Sequence, residues 1–416
     1  MQSDTTRRRY LLSLAAAGAV GVAGCSDDGA ESGTESPTEP EQTPQDAYQG
    51  AESDYASDWR MFGANPATTG GAPEETGPTG EITEKWRFAV DYDSQVFASP
   101  AVVDGTVYTG ANLNEFYAID ARDGSEQWST TVPSPSATGA PAVVDGSIYF
   151  ALGDREDGGI VFALDAADGS EQWRTGTEYR IGQSVTYARG SLFVPDGHRT
   201  DEGGYLYALD ATDGNQLWRF GIAPDVYTPA VADGTVYASA RRDRLYALSA
   251  IDGSEKWRTD DDMETLSPPT VVGDTVYVGH GRDALRALST VDGEERWQFE
   301  TESNVFTPQA VVDGTVYAAD ISGTVYAVDA ADGTEQWTFD AGSEVETQPA
   351  VVDGTVYIGS GSTTREPGTV YALDATDGTE LWQFETPNAV QSSPAVVDGT
   401  VYFGSPDGHV YALTDE

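Results

Sequence analysis

The sequence predicts an all-β fold, an eight-bladed β-propeller with four antiparallel strands in each blade. Two observations support this prediction. Eight tryptophans recur about every 40 to 45 residues, and most of them end the same phrase of sequence. The chain between them contains only strand and turn signals, and sheets that small must bury their faces against neighbouring sheets. The repeated tryptophans are Trp86, Trp128, Trp173, Trp218, Trp257, Trp297, Trp337 and Trp382.

The first repeat shows how a blade is built. Residues 100–103 form an apolar run that ends at Asp104-Gly105, and residues 106–109 follow at once, which predicts a hairpin around a two-residue turn. A third and a fourth strand are predicted at 116–119 and 126–128. Small residues lie beside the inner runs, as expected where strands crowd towards a central axis. They include Ser99, Ala140, Thr228 and Ser393.

The last repeat lacks its fourth strand. It stops after Leu413, and the missing Glu-x-Trp segment occurs once near the start, as Glu84-Lys85-Trp86. We therefore predict that residues 82–88 pair with the last blade and close the ring, which removes exposed sheet edges. Residues 59–63 lie upstream, and we expect them to pack across this closure.

The amino-terminal region indicates export and anchoring. We interpret residues 1–24 as a twin-arginine lipoprotein signal, with Arg7 and Arg8 in the export motif and an apolar stretch too short to span a bilayer. Cys25, the only cysteine, is the predicted lipidation site. Residues 25–58 are acidic, contain no lysine or arginine, and are predicted to form a disordered tether to a propeller at residues 59–416. The expected location is the outer face of the cytoplasmic membrane.

The charge of the chain restricts its partners. The formal net charge is −47, from 69 acidic and 22 basic residues. Such a field repels phosphate backbones, so nucleic acid is not expected as a partner. Self-repulsion of this size is relieved by molar salt, which favours a salt-adapted surface. We expect a monomer.

The repeated phrase carries a family resemblance. Residues 372–382 read Ala-Leu-Asp-Ala-Thr-Asp-Gly-Thr-Glu-Leu-Trp, which resembles the tryptophan-docking repeat of pyrroloquinoline quinone (PQQ)-like propellers. The resemblance covers roughly residues 81–413 and implies that each repeated tryptophan docks against the next blade. The chain has Asp-Gly where the family has Thr-Gly, and Ser249 and Ser289 replace an aspartate. The acidic tether resembles those of exported lipoproteins from salt-loving archaea.

The family includes both dehydrogenases and scaffolds. Resemblance to its quinoprotein dehydrogenases would imply a pair of adjacent cysteines and a calcium site with a catalytic carboxylate. This chain has one cysteine and no Asp-Asn-Glu set that we can align. We therefore expect no cofactor and assign no catalytic or metal-binding residue. The chain is more similar to the lipoprotein of the barrel-assembly machine, which implies a scaffold for envelope proteins. His198, His280 and His409 are expected to be isolated and solvent-facing.

A binding site is predicted at the mouth of the central channel, where loops enter the innermost strands. Five residues there break the small-residue pattern, namely Gln183, Tyr227, Phe306, Glu346 and Gln391. An envelope protein, a peptide or a small ligand is the expected partner. Ordinary sequence variation among the loops is the alternative explanation for these five residues. A PQQ-dependent alcohol or sugar dehydrogenase and a cell-surface polysaccharide-binding protein are the alternative functions.

Overall fold

The computed structural model describes residues 58–416 except residues 66, 73–74, 92–93, 113–114, 133–138, 155–157, 198–202, 223–224, 242–243, 260–266, 282 and 363. The predicted export residues Arg7 and Arg8, the predicted lipidation site Cys25, His198 and all of the tether except Asp58 lie outside the described residues. The described part of the chain contains strands and no helix. In particular, it has no helix with the length and apolar character needed to cross a bilayer.

The strands form eight sheets of four, numbered here as blades in chain order. Blade 1 contains β2 (Ala101–Val103), β3 (Thr106–Ala111), β4 (Glu115–Asp120) and β5 (Glu126–Thr131). Blade 2 contains β6 (Ala142–Val144), β7 (Ser147–Asp154), β8 (Gly158–Asp165) and β9 (Glu171–Thr177). Blade 3 contains β10 (Thr186–Ala188), β11 (Ser191–Pro195), β12 (Gly204–Asp210) and β13 (Gln216–Ile222). Blade 4 contains β14 (Ala230–Ala232), β15 (Thr235–Ser239), β16 (Leu245–Ser249) and β17 (Glu255–Arg258).

The second half of the ring repeats this pattern. Blade 5 contains β18 (Thr270–Val272), β19 (Thr275–His280), β20 (Ala284–Ser289) and β21 (Glu295–Glu300). Blade 6 contains β22 (Ala310–Val312), β23 (Thr315–Ala319), β24 (Thr324–Asp329) and β25 (Glu335–Asp340). Blade 7 contains β26 (Ala350–Val352), β27 (Thr355–Ser360), β28 (Gly368–Asp374) and β29 (Glu380–Thr386). Blade 8 contains β30 (Ala395–Val397), β31 (Thr400–Ser405), β32 (His409–Asp415) and β1 (Ile82–Ala89).

The ring closes as predicted. Strand β1 pairs antiparallel with β32, with Trp86 opposite Ala412 and Phe88 opposite Val410. The innermost strands of neighbouring blades contact each other around the whole ring, including β30 with β2. The prediction of an eight-bladed propeller closed by an amino-terminal strand is therefore confirmed.

Six of the eight inner hairpins turn at Asp-Gly pairs, whereas blade 3 turns at Arg189-Gly190 and blade 5 at Gly273-Asp274. Asp104 and Gly105 both have positive φ, of 50° and 71°, which is the backbone that a two-residue hairpin turn with right-handed strand twist requires. Each inner strand is mostly buried, while the outermost strands alternate between exposed and covered residues. The apolar core therefore lies between blades rather than within one sheet.

The repeated tryptophans bridge neighbouring blades. In blade 1, the Trp128 indole N–H donates to the Ala166 carbonyl of blade 2 at 3.0 Å, and its ring lies 6.2 Å from Tyr108. Six other tryptophans make the equivalent bond at 2.8–3.0 Å. Trp382 donates instead to the Pro78 carbonyl, in the segment before β1, at 2.9 Å. Trp86 reaches Ala121 across the closure, from blade 8 to blade 1. Blades 4 and 5 keep this geometry although serine replaces their aspartate.

An amino-terminal segment crosses the central channel. We call residues 59–65 and 67–72 the channel plug. The backbone N–H of the middle valine in five innermost strands donates to a plug carbonyl at 2.7–3.0 Å. Those strands belong to blades 1, 2, 5, 6 and 7, so one segment can reach them all only by passing through the middle of the ring. The donors are Val102, Val143, Val271, Val311 and Val351.

Residues 59–63 reach both the closure and the channel. Trp59 packs in the core cluster at the closure, with Val102 of blade 1 and Val396 of blade 8, as expected. Met61 lies instead against blades 2 and 3, because the innermost strands present unpaired backbone groups to the axis and the plug satisfies them. Residues 75–80 also reach the closure. The Pro78 carbonyl accepts the Trp382 indole N–H at 2.9 Å, and the Gly80 N–H donates to Asp415 at 2.9 Å.

Candidate functional site

The loops that enter the innermost strands surround a cavity on the channel axis, which we call the mouth cavity. It has a volume of about 200 Å³. All five predicted mouth residues line it, although they come from blades 3, 4, 6, 7 and 8. The structure thus brings together Gln183, Tyr227, Phe306, Glu346 and Gln391.

The plug closes the inner side of the mouth cavity. Phe62 of the plug is among the lining residues, and its neighbour Met61 is buried against blades 2 and 3. The hydrogen bonds of the plug to the innermost strands block passage along the axis below this point. A ligand can therefore enter the mouth cavity from one end of the propeller only.

Two aromatic lining residues were missed by sequence reasoning. Phe97 lines the cavity and precedes Ala101 by the same spacing as Phe306 precedes Ala310, so the repeat alignment carried a signal for it. Phe62 carried no such signal because it lies outside the repeat. With Tyr227 and Phe306, they make four aromatic residues in the lining.

Hydroxyl groups of the small residues link neighbouring blades beside the cavity. The Ser393 N–H donates to Ser99 Oγ at 2.9 Å, which connects blade 8 to blade 1. The Ala140 N–H donates to Ser184 Oγ at 2.9 Å, and the Ser184 N–H donates to Thr228 Oγ1 at 3.1 Å. These residues are small because the loops crowd together, and they also hold the cavity wall in a fixed shape.

The rim of the cavity is polar. Gln391 Nε2 donates to the Glu346 carboxylate across blades 8 and 7. Thr228 Oγ1 donates weakly to Gln183 Oε1 at 3.4 Å. Burial raises the pKa of Tyr227 to about 12, so its hydroxyl stays neutral at any working pH. Glu346 is the one carboxylate among the described lining residues.

A second cavity of about 450 Å³ adjoins the mouth at blades 3 and 4 and shares Gly182, Gln183, Tyr227 and Phe306 with it. Arg180, Arg241 and Asp225 line it, and Arg241 approaches Asp225 at 3.9 Å. Asp196 lies in its wall almost fully buried. Burial raises the pKa of Asp196 to about 6, although two backbone N–H groups donate to its oxygens at 3.0 and 2.7 Å.

The two described histidines lie apart, in blades 5 and 8. His280 is buried, so the expectation that it faces solvent is wrong; it ends β19, which is buried along its whole length. His409 Nδ1 lies 3.2 Å from the Asp407 carboxylate. Neither histidine lines the mouth cavity.

Comparison with known proteins defines the family. Over residues 78–194, 202–308 and 303–416, the sequence matches the PQQ-like repeat family described as outer membrane protein assembly factor BamB. The chain belongs to this family. The resemblance to PQQ-like propellers inferred from the tryptophan repeat is therefore confirmed.

Solved structures of two kinds share the fold. One is BamB from Moraxella catarrhalis, with a TM-score of 0.66 and 18% identity over 81% of this chain and 98% of that chain. The other is quinohemoprotein alcohol dehydrogenase from Comamonas testosteroni, with a TM-score of 0.71 and 16% identity over 88% of this chain and 83% of that chain. Similarity at these identities concerns the fold alone, because one fold hosts many functions.

A curated relative matches over a short stretch. Quinohemoprotein alcohol dehydrogenase ADH-IIG from Pseudomonas putida is 43% identical over 49 residues, which are 12% of this chain. The chain matches 7% of that protein's length. A match about one repeat long fits shared blade architecture and says little about activity.

One carboxylate, Glu346, is among the described residues that line the mouth cavity, and it accepts a hydrogen bond from Gln391. A calcium ion takes about six to eight oxygen ligands, so most of them would have to come from the amide, hydroxyl and backbone oxygens of this lining. The described residues contain no group of three or more His, Cys, Asp or Glu side chains that could hold a metal. The cavity is also smaller than the roughly 300–1,000 Å³ of pockets for drug-sized ligands.

Proposed function

We propose that this chain is an exported, membrane-anchored binding module that holds other envelope proteins through the mouth of its channel and catalyses no reaction. The main observation behind the proposal is the mouth cavity, which the plug closes on its inner side. Its walls are fixed by hydrogen bonds between blades, and its lining departs from the small residues found elsewhere around the axis. A rigid, concave site of this kind suits recognition of a side chain from a partner.

The path of the chain supports this proposal. The Glu75 carboxylate accepts the Asp58 N–H at 3.1 Å and the Asp398 N–H at 2.8 Å. Asp398 belongs to the turn after β30, so Asp58 lies at the end of the channel opposite to the mouth. A partner bound at the mouth cavity would therefore not compete with the residues around Asp58. The family description as an assembly factor agrees with such a role.

Site-specific crosslinking tests the proposal. The photoreactive residue benzoylphenylalanine would replace Phe306 at the mouth or Leu381 on the outermost strand of blade 7. These side chains are equally exposed, at 37% and 38%, so Leu381 is a matched control. We expect discrete crosslinked proteins from position 306 in native membranes and none of them from position 381. The same products from both positions, or none from position 306, would contradict a mouth-specific partner.

A double variant gives a second test. Tyr227→Ala combined with Glu346→Ala removes an aromatic and a carboxylate from the mouth cavity without touching the tryptophan bridges. We expect partners that copurify with the unmodified protein to be lost. If every partner remains, the mouth is not the binding surface.

The dehydrogenase alternative has its own assay. Purified protein would be titrated with pyrroloquinoline quinone and calcium, and alcohol or sugar oxidation would be followed with a dye acceptor. We expect neither saturable binding nor oxidation, since Glu346 is the one carboxylate in the described lining and already accepts a hydrogen bond from Gln391. Saturable binding coupled to substrate oxidation would replace the scaffold proposal with an enzyme.

A further inference from the structure

The second cavity, at blades 3 and 4, contains two arginine side chains, and we call it the arginine cavity. Arg180 and Arg241 are the only basic residues among the described residues that line either of the two cavities. The volume of about 450 Å³ lies within the roughly 300–1,000 Å³ of pockets that hold small ligands. Four of its lining residues also line the mouth cavity, so a partner at the mouth reaches both.

Both arginines depart from the repeat. In five blades a residue just after the second strand donates its backbone N–H to a carbonyl of the loop that enters the same blade. Arg180 is the acceptor of this bond in blade 3, and Arg241 is the donor in blade 4. In blades 1, 6 and 7 the bonded residues are neutral or acidic, namely Asn112 with Gln95, Ile321 with Asn304, and Gly361 with Glu344. The two positive charges are therefore specific to blades 3 and 4 and are not required by the fold.

Basic residues are concentrated on this side of the ring. Twelve of the 22 lysine and arginine residues lie within residues 179–300, which cover blades 3 to 5, whereas residues 301–416 contain only Arg365. Positive charge raises the local concentration of ligands with the opposite sign. An anionic ligand therefore meets less repulsion here than beside blades 6 and 7.

The backbone and close packing hold both arginines at the cavity. The Gly197 N–H donates to the Arg180 carbonyl at 3.0 Å, and the Arg241 N–H donates to the Asp225 carbonyl at 3.1 Å. The Arg180 side chain lies directly against blade 2, because a Cβ atom on Gly153 would lie 2.3 Å from Arg180 Cγ. A side chain that is already packed loses less conformational entropy when a ligand binds.

Two groups in the cavity can still donate hydrogen bonds. Arg241 Nη1 lies 3.9 Å from Asp225 Oδ2, which is too long for a hydrogen bond, and the Arg241 side chain is 44% exposed. The Tyr227 hydroxyl has no hydrogen-bond partner among the described residues. Burial raises the pKa of Tyr227, so this hydroxyl keeps its proton. A guanidinium and a phenol that both donate are suited to an oxyanion.

The carboxylates of the wall limit the charge of the ligand. Asp196 is 1% exposed, and the backbone N–H groups of Tyr179 and Tyr205 donate to its oxygens at 3.0 and 2.7 Å. Asp225 lies beside Arg241 and would repel a second negative charge. The cavity therefore suits a ligand with one carboxylate, whose planar pair of oxygens matches the fork of a guanidinium.

We propose that the arginine cavity binds the carboxylate of an acidic residue that a partner protein presents at the mouth. Arg180 and Arg241 donate to the carboxylate oxygens, and the Tyr227 hydroxyl is a third donor. This inference rests on the proposed function and specifies the chemistry of the partner.

Small probes test the inference directly. Saturation-transfer NMR at 1 M KCl would measure the binding of Nα-acetyl-glutamate amide, with Nα-acetyl-glutamine amide as the uncharged control of the same shape. At this salt concentration the screening length is about 3 Å, so the net charge of −47 contributes little beyond the cavity itself. We expect saturable binding of the glutamate amide and at least about tenfold weaker binding of the glutamine amide.

Variants locate the bound probe. Arg241→Gln should weaken binding of the glutamate amide by about tenfold, and Tyr227→Phe by several-fold. Arg219→Gln is the matched control, because Arg219 lies on the outermost strand of blade 3 and outside the cavity. Its side chain is also 44% exposed and forms an ion pair with Glu178. It should change binding by less than about twofold, and similar unfolding midpoints would show that all variants are folded.

Three results would overturn the inference. The first is an equal loss of binding in Arg241→Gln and Arg219→Gln, and the second is equal binding of the glutamate and glutamine amides. The third is glucuronate that binds more tightly than the glutamate amide and loses this binding in Arg241→Gln, which would favour an acidic polysaccharide over a protein.

The two proposals can fail separately. If the glutamate amide does not bind but position 306 still crosslinks to discrete partners, the carboxylate inference fails and the binding module stands. If position 306 captures no partner, the proposed function fails, whereas the probes still decide whether the cavity takes a carboxylate.

Discussion

The glycine of each repeated phrase has two roles at the residue scale. Gly169 has a φ of 71°, which only glycine adopts without strain. A Cβ atom at this position would also lie 2.6 Å from the indole ring of Trp128. The glycine thus forms the turn and also lets the previous blade's tryptophan stack directly on the backbone.

A pair of glycine variants separates these roles. Gly146 lies in the same blade with a φ of 75°, but a Cβ atom there would meet nothing within 4 Å. We expect Gly146→Ala to cost about 1 kcal/mol from backbone strain, and Gly169→Ala to cost about 2–4 kcal/mol because the tryptophan must also move. Urea denaturation measures both. Equal costs would mean that the indole contact is not tight.

Asp196 gives a pH-dependent prediction. Burial raises its pKa to about 6 from the ordinary value of 3.8. Because the folded state binds this proton more tightly than the unfolded state does, protonation of Asp196 stabilises the fold. This stabilisation is complete below about pH 4 and is lost as the pH rises through 6. The unfolding free energy of the wild type minus that of Asp196→Asn should fall by about 2–3 kcal/mol between pH 4 and 7. A flat difference would show that hydrogen bonds offset the desolvation.

At the scale of elements, the plug is part of the hydrophobic core although it lies outside the repeat. Met61 is 1% exposed and packs in the cluster between blades 2 and 3. Backbone bonds from the plug reach five blades, so its loss would leave unpaired strand edges around the axis.

A single substitution tests the plug. Met61→Ala should lower the unfolding free energy by about 2–5 kcal/mol, as for other buried methionines. Leu381→Ala, which trims an apolar side chain that is 38% exposed, should cost less than about 1 kcal/mol. Chemical denaturation of both variants checks this. If Met61→Ala costs no more than Leu381→Ala, the plug is only loosely attached.

At the scale of the whole molecule, the net charge makes the stability of the fold depend on the salt concentration. A net charge of −47 repels itself over the roughly 10 Å screening length of 0.1 M salt, and that length falls to about 3 Å at 1 M. We expect the unfolding free energy to rise between 0.1 and 2 M KCl by more than the ~1 kcal/mol typical of one exposed ion pair. Urea titrations at each salt concentration measure this. Stability that does not change with salt would show that the acidic surface is not self-repelling.

The repeat made most strands predictable, because each blade encodes its own alternation and turns. The mouth residues were predictable for the same reason, since position in the repeat fixes position around the axis. Phe97 could have been included on that basis. The plug and Phe62 could not, because no local pattern reports pairing with strands distant in sequence.

The amino-acid sequence alone determined the number of blades, the tryptophan bridges and the closure by β1, since these follow from local periodicity repeated around a ring. Only the tertiary structure decided that residues 59–65 and 67–72 fill the channel and that Gln348 and Thr307 keep buried polar atoms without a hydrogen-bond partner in the described structure. Those features depend on which strand edges remain unpaired once all eight blades have closed. The sequence of a single repeat does not determine which edges those are.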